Sequence, residues 1–337
     1  MSAESRSGEQ RAPGQHRDLV APIEPDFRPV AGPIAILPSA PDAFVAAVTS
    51  AGGVVAPLSA ETRGIVWLSD KRAEELEAAL DAHPGVEWVQ LPWAGVDAFA
   101  PLLARLAGRE RLLWTSAKGA YSEPVAEHAL ALTLTLLRGL HTKAASTSWA
   151  AKTGTSLYGR RVVIVGAGGI AIELLRLLAP FEVDSTVVRR SALPLAGATR
   201  TVDSTGLHEA LATAEVVILA AASTGETAHL IGAAELALMP STAVLVNIAR
   251  GALVDQGALD NALRSGAIAG AGLDVTTPEP LPDGHPLWTA PHCIITSHSA
   301  DTPEMTAPLL AGRIGANVAA LLSGGAFVGI VDPGAGY

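Results

Sequence analysis

Four short segments carry the residue types that could do chemistry. Arg161-Val-Val-Ile-Val165 runs into Gly166-Ala-Gly168-Gly169-Ile170-Ala171, a G-x-G-x-x-A string set between an apolar run and the start of a helical one. In that context Gly166 permits a tight turn and Gly168 lets a pyrophosphate approach the backbone. The helix N-terminus then offers unpaired N–H groups and the positive end of a dipole. The string alone is weak, and its flanking strand and helix are what point to a dinucleotide. Downstream, Leu245-Val-Asn247-Ile-Ala-Arg250-Gly251, Gly272-Leu-Asp274-Val-Thr-Thr-Pro-Glu279-Pro280 and Ile295-Thr-Ser-His298 each follow a predicted strand. Strand carboxyl ends line the ligand crevice of a doubly wound sheet, so Arg250, Asp274, Glu279 and His298 can converge beside the nucleotide.

About 20 residues past the loop, an NAD-specific site carries an acid for the ribose 2′-hydroxyl. Here the second strand ends Val187-Val188-Arg189-Arg190-Ser191, with no acid. A carboxylate would repel a 2′-phosphate, whereas guanidinium groups hold it through charge-assisted hydrogen bonds worth roughly 1.5 to 3 kcal/mol each. NADP(H) is the expected preference, with NAD(H) possible; the plainer alternative is that both arginines are solvated at a loop.

The elements that must position these residues come in two sets. Apolar runs at Ile34–Leu37, Val54–Leu58, Gly64–Leu68, Val86–Leu91 and Arg111–Thr115 alternate with helical stretches near 42–50, 70–82 and 97–107. Short apolar strands alternating with helices imply a parallel sheet covered on both faces. A long helix, Glu123–His141, and a Ser-, Thr- and Gly-rich segment, 144–156, lead to a second alternation. Its six strands are expected at Arg161–Val165, Val183–Val188, Val216–Leu219, Ala243–Asn247, Ile268–Leu273 and Cys293–Thr296. A closing helical segment, Pro303–Leu322, is expected to rejoin the first domain. The reading is therefore α/β with two doubly wound parallel-sheet domains: a disordered tail over 1–30, a substrate domain over 31–118 and 301–337, and a Rossmann domain over 119–300.

Composition narrows the partners. The 337 residues suit about two domains at roughly 150 residues each. With 23 Lys plus Arg against 33 Asp plus Glu, the net charge of −10 does not invite nucleic acid. One cysteine, Cys293, allows neither an internal disulfide nor a thiolate zinc site, so no metal is expected. Apolar residues reach 49%, yet the densest runs, Ala129–Leu137 and Val216–Ala222, fall short of the roughly 20 residues that span a bilayer. The first 30 residues lack an apolar h-region, which fits a cytoplasmic protein without a membrane partner.

In their order and spacing these segments resemble the D-isomer specific 2-hydroxyacid dehydrogenase family, and the likeness covers nearly everything after residue 32. Ser122-Glu-Pro-Val-Ala-Glu127-His128 is similar to the family's helix-opening stretch, and Leu157-Tyr-Gly159 to its entry into the phosphate loop. The resemblance implies an NAD(P)-binding Rossmann domain with a flavodoxin-like substrate domain. It makes Arg250 the group that holds the substrate carboxylate and keto oxygen, His298 the acid/base and Glu279 its partner. Reduction of a 2-keto acid needs hydride at C2 and a proton on its oxygen, and an imidazolium favoured by a carboxylate can give that proton near neutral pH. Arg250 brings a planar, permanently charged fork. The cofactor set implied is Gly166, Gly168, Gly169, Ile170, Arg189, Arg190, Ser191, Thr224, Thr227, Ala249 and Asp274, with Asp274 on the nicotinamide carboxamide. Trp93-Ala94-Gly95, opening Trp93-Ala-Gly-Val-Asp97 after a strand, resembles the substrate loop.

Some positions depart from the pattern. Ser297 stands where Pro is usual, Ser299-Ala300-Asp301 lacks the expected Gly, and Ala222 replaces a Pro before Thr224. Phosphoglycerate enzymes of the family carry an Arg after the strand that here reads Gly64-Ile-Val-Trp67-Leu68. Trp67 and Leu68 are expected to favour a less polar tail, so an unphosphorylated small 2-keto acid such as glyoxylate or hydroxypyruvate is the expected substrate. Glu127 and His128 read as packing or subunit-contact residues, and His292 as a structural one. The resemblance also implies a homodimer through the long helix and the 144–156 arm. The competing reading is a nucleotide-sensing scaffold or corepressor of the same fold, which loss of Arg250, Glu279 or His298 would have favoured.

Overall fold

A computed structural model describes residues 20–149 and 151–334. The first domain holds β1 (Ile34–Leu37), α1 (Asp42–Ser50), β2 (Gly64–Trp67), α2 (Ala73–Ala82), β3 (Trp88–Gln90), α3 (Ala100–Leu106) and β4 (Leu113–Thr115). These four strands form a parallel sheet in the order β1-β2-β3-β4. Strand alternation divides the core: Ile65 and Trp67 pack with Leu76, Leu80 and Leu103 on one face, while Val66 packs with Val48 and Ile314 on the other.

The expected strand at Val54–Leu58 is reduced to one bridge, Val55 to Ile34, with Ile34 N–H donating to Val54 O and Ala56 N–H to Ile34 O. It lies on the outer side of β1, the edge position of a flavodoxin-like order, and Pro57 keeps it from pairing further.

The long helix is also shorter than expected. α4 (Ser122–Arg138) stops at Gly139, which sits at φ +59°, and α5 (Leu140–Ala144) restarts beyond it. A left-handed glycine ends a helix without the steric cost a side chain would add.

The second domain holds β5 (Arg161–Val165), α6 (Gly169–Leu178), β6 (Asp184–Val188), β7 (Arg200–Val202), α7 (Leu207–Leu211), β8 (Val216–Leu219), α8 (Ala233–Leu238), β9 (Val244–Asn247), α9 (Gln256–Ser265), β10 (Gly270–Leu273) and β11 (Cys293–Ile295). Its seven parallel strands run β11-β10-β9-β8-β5-β6-β7. Sequence pattern gave six; β7, with only Thr201 and Val202 half-buried at the sheet edge, is too polar and short to signal itself. Order reverses between β5 and β8, which places the ligand crevice at their carboxyl ends.

α10 (Pro303–Ser323) returns to the first sheet, packing on α1, and Ile330 then bridges Thr115 in β4. Its length and apolar composition would suffice to cross a bilayer. Its inward face, however, carries Arg313 and Asn317, which donate to the carbonyls of Ser116 and Val328. The expected tail is corrected in part. Residues 1–19 lie outside the described residues, but Ile23 bridges Phe327, Arg28 Nη1 donates to Gly325 O at 3.1 Å, and the Arg111 guanidinium sits 4.8 Å from the Phe27 ring centre. Residues 20–30 are thus pinned to the first domain.

Candidate active site

At the carboxyl end of β5, Gly166 adopts φ +116°, and a Cβ there would lie 2.4 Å from the Ala220 carbonyl oxygen. Only glycine lets the turn pass so close to β8. A Cβ on Gly169 would meet Ser122 Oγ at 2.3 Å, so this glycine lets α6 close against α4. Gly168, by contrast, has nothing within 4 Å of its Cβ position: the loop's outer side is open. The first turn of α6, with Ile170, turns its N–H groups toward that opening. These residues fit a nucleotide pyrophosphate. Ser122 is a close-packing member the sequence reading did not single out.

Arg189 is half-buried and Arg190 exposed at the end of β6. Arg190 lines a cleft of about 460 Å³ with Thr224, Gly225 and Glu226. The position suits a 2′-phosphate, although Glu226 brings a carboxylate that the sequence reading had not weighed. Thr227 accepts from the Thr224 N–H at 2.8 Å and donates to Ala222 O at 2.8 Å, so its hydroxyl is spent on holding the loop that presents Thr224.

β9 ends at Asn247, a buried residue whose amide donates to Arg250 O at 2.9 Å and whose Oδ1 accepts from Ala249 N–H at 3.1 Å. Those bonds fix the short path from strand to arginine. Gly251 follows, and a Cβ there would lie 2.0 Å from the Thr276 carbonyl carbon. The Arg250 loop and the Glu279 loop are therefore in backbone contact.

Glu279 Oε1 accepts from Thr276 N–H at 2.9 Å, which aims Oε2 at His298 Nδ1, 2.8 Å away. His298 is left-handed, at φ +49°, an unusual state for a residue with a side chain. Asp274 imposes it. The Asp274 carbonyl accepts from His298 N–H at 2.8 Å, and its carboxylate accepts from the N–H groups of Ser299 at 2.9 Å and Ala300 at 3.1 Å. Thr296 and His128 complete the set, with His128 Nε2 3.0 Å from Thr296 Oγ1 and 3.4 Å from Asp274 Oδ1. Asp274, expected on the nicotinamide, is thus buried and spends most of its acceptor sites on the histidine loop.

Electrostatics follow from these contacts. The Glu279 hydrogen bond raises the His298 pKa above its ordinary 6.5 against the opposing effect of burial. Burial would raise Glu279, but the bonds from His298 and Thr276 hold it below the usual carboxylate value. Asp274 is likewise pushed up by burial and brought down to about 2 by the bonds from His128, Thr296, Ser299 and Ala300. Asp301 is raised to about 6, chiefly by burial and further by the Asp274 charge, with His298, Arg250 and its own backbone N–H pulling it down. The carboxylate partner favours the imidazolium form of His298, a proton donor next to Arg250.

On the first domain, Trp93 meets Tyr121 edge to face at 6.0 Å, and Tyr121 donates to Pro92 O at 2.7 Å. The Trp93-Ala94-Gly95 turn is so placed that a Cβ on Gly95 would fall 1.8 Å from Arg250 Nη2. This turn and the arginine face each other across the crevice. Trp67 does not join them. It is buried among Ile65, Leu76 and Leu103, so its expected role against a substrate tail is withdrawn: β2 runs through the core and buries every side chain. His128, expected as packing, is a link between α4 and the histidine loop. His292 stacks edge to face on His141 at 5.7 Å, away from these contacts.

The comparisons with known proteins agree with this arrangement. A sequence model of the D-isomer specific 2-hydroxyacid dehydrogenase NAD binding domain matches residues 129–300. An uncharacterized protein encoded in the proB 3′ region of Corynebacterium melassecola is 36% identical over 266 residues, 76% of this chain and 86% of that protein. Glyoxylate reductase/hydroxypyruvate reductase of Mus musculus is 35% identical over 189 residues, 53% of this chain but only 58% of the mouse enzyme. Among solved structures, a D-isomer specific 2-hydroxyacid dehydrogenase from Xanthobacter autotrophicus Py2, in complex with NADPH and MES, superposes with TM-score 0.77 at 26% identity, covering 91% of this chain and all of that one. The Gly166 turn, the Arg250 and Glu279 loops in contact, and the matched span that contains them all say that the chain belongs to the D-isomer specific 2-hydroxyacid dehydrogenase family.

Proposed function

We propose that the chain is an NAD(P)-dependent oxidoreductase that interconverts small 2-keto acids and D-2-hydroxy acids, with NADP(H) preferred. The observation that carries this reading is the His298–Glu279 pair at 2.8 Å, on strand ends beside the Arg250 loop and facing the Gly95 turn. Gly166, Gly168, Gly169 and the first turn of α6 would hold the pyrophosphate, and Arg189, Arg190, Ser191 and Thr224 the adenosine end. Ala249 and the remaining acceptor capacity of Asp274 would meet the nicotinamide end. When bound, the reduced nicotinamide supplies the hydride that arrives at C2.

Arg250 and the N–H groups of the Trp93–Gly95 turn bind the carboxylate and polarise the keto group. His298 delivers its proton to the developing alkoxide, and Glu279 keeps the imidazole oriented and stabilises its charged form. In the oxidative direction the neutral imidazole takes that proton back. The scaffold alternative is not favoured, because Arg250, Glu279 and His298 are all present and mutually arranged.

With no arginine at the end of β2, an unphosphorylated acid such as glyoxylate or hydroxypyruvate is the proposed substrate. NADPH and NADH oxidation across a panel of 2-keto acids tests the reading. Faster turnover on phosphohydroxypyruvate than on either acid, or no turnover on any, overturns it. The division into 31–118 with 301–337 and 119–300 is proposed on the contacts of α10 with α1. A homodimer is proposed through α4, α5 and the following arm, where Leu140 is half-exposed and Trp149 fully exposed. Size-exclusion chromatography with light scattering decides it. A cytoplasmic location is proposed from the composition alone.

A further inference from the structure

Arg250 already has an anionic partner. Its Nε donates to Asp97 Oδ2 at 2.9 Å, and its Nη1 donates to its own Ala249 carbonyl at 2.7 Å. Asp97 opens the single 3₁₀ turn Asp97–Phe99, directly after the Trp93–Val96 loop, so the bond joins the loops of the two sheets across the crevice. The two side chains are 34% and 44% exposed, which puts the pair on the wall of the crevice and open to solvent.

The atoms used matter. A guanidinium binds a carboxylate in bidentate fashion either side-on, through Nε and one Nη, or end-on, through both Nη. With Nε taken by Asp97, only the end-on edge is left. A Cβ on residue 95 would fall 1.8 Å from Nη2 and 3.0 Å from Asp97 Oδ2, so the Gly95 turn packs against the side of the fork that Asp97 occupies. Asp97 thus holds the fork from the opposite domain, beside the hold that the Ala249 carbonyl gives from its own loop, so part of the arginine's alignment depends on the approach of the two loops.

We propose that Asp97 is a positioning residue for Arg250: by occupying Nε it confines the substrate carboxylate to the Nη edge and couples arginine alignment to approach of the two domains. The proposal rests on the dehydrogenase reading of the site. The contrary possibility is that Asp97 merely competes with substrate for Arg250, and the two predict opposite signs.

Asp97→Ala, Asp97→Asn and Arg250→Ala, each checked for an unchanged circular dichroism spectrum, separate them by steady-state kinetics with glyoxylate and by calorimetric titration of oxalate into the NADPH-saturated protein. Loss of alignment in Asp97→Ala raises the glyoxylate KM and the oxalate Kd about 10- to 100-fold and lowers kcat, with the NADPH KM unchanged. Asp97→Asn keeps an oxygen that can accept from Nε and recovers most of that loss. Tighter oxalate binding and a lower glyoxylate KM in both variants, or no change in either, overturns the proposal. If Arg250→Ala leaves both oxalate binding and turnover intact, the dehydrogenase reading itself fails, which the Asp97 variants alone would not show.

Discussion

His298 and Glu279 set the pH response of the site. In the proposed mechanism the imidazolium is the proton donor for reduction, and the Glu279 hydrogen bond raises its pKa above the ordinary value. Reduction is therefore at full rate at low pH and falls as pH rises through a value above 6.5, and oxidation shows the opposite slope. Glu279→Gln removes the negative charge that favours the imidazolium and leaves only a neutral acceptor, so the fall moves to lower pH and kcat drops about 100-fold; kcat/KM measured against pH checks both. Arg189 and Arg190 make a second prediction at this scale. Replacing both by Ala raises the NADPH KM about tenfold or more while the NADH KM changes little. An equal rise for both cofactors would assign the arginines to the loop's structure instead. Cys293, half-buried and with its thiol pushed up by burial to about 12, is not expected to react with alkylating reagents in the native state.

Between residues and the whole fold lie the loops that follow β9, β10 and β11, and they were only partly legible. Their motif residues stand out in sequence because Arg, Glu and His follow apolar runs at strand-end positions. The groups that fix them do not. Asn247 stands between the apolar run of β9 and Arg250, yet its bonds to the backbone of Ala249 and Arg250 depend on a turn that has no composition signature. His128 reaches Thr296 from 168 residues away, and Asp97 reaches Arg250 from 153 away. Spacing along the chain carries no information about such pairs, because the sheet order that brings them together is set by core packing. Gly251 gives a test of these contacts. Gly251→Ala forces the Thr276 backbone away from the Arg250 loop, so kcat falls at least tenfold and stability drops by about 1 to 3 kcal/mol by overpacking. His128→Ala withdraws a donor from the Asp274 network, and is expected to lower kcat with little change in NADPH KM, because the histidine loop and not the phosphate loop is loosened.

For the molecule as a whole, the return of the chain after the Rossmann domain decides whether a crevice exists at all. α10 buries Arg313 against the Ser116 and Lys118 carbonyls, beside the start of α4, and so ties the C-terminal residues to the segment that links the domains. Arg313→Leu leaves buried carbonyls without donors and is expected to cost about 2 to 5 kcal/mol, seen as a lower Tm in a thermal melt. Sequence by itself determined the α/β class, the two parallel sheets, the phosphate loop and the chemical triad, because period, turn chemistry and residue type are local properties. It could not determine that Val54–Leu58 makes a single bridge, that β7 adds an edge strand, that Trp67 is core, or that residues 20–30 are pinned. Nor could it tell that Asp274 shapes the His298 loop or that Asp97 engages Arg250. Each of these is fixed by which surfaces meet once both sheets are packed, and that is decided by burial and hydrogen bonding between segments far apart in the chain.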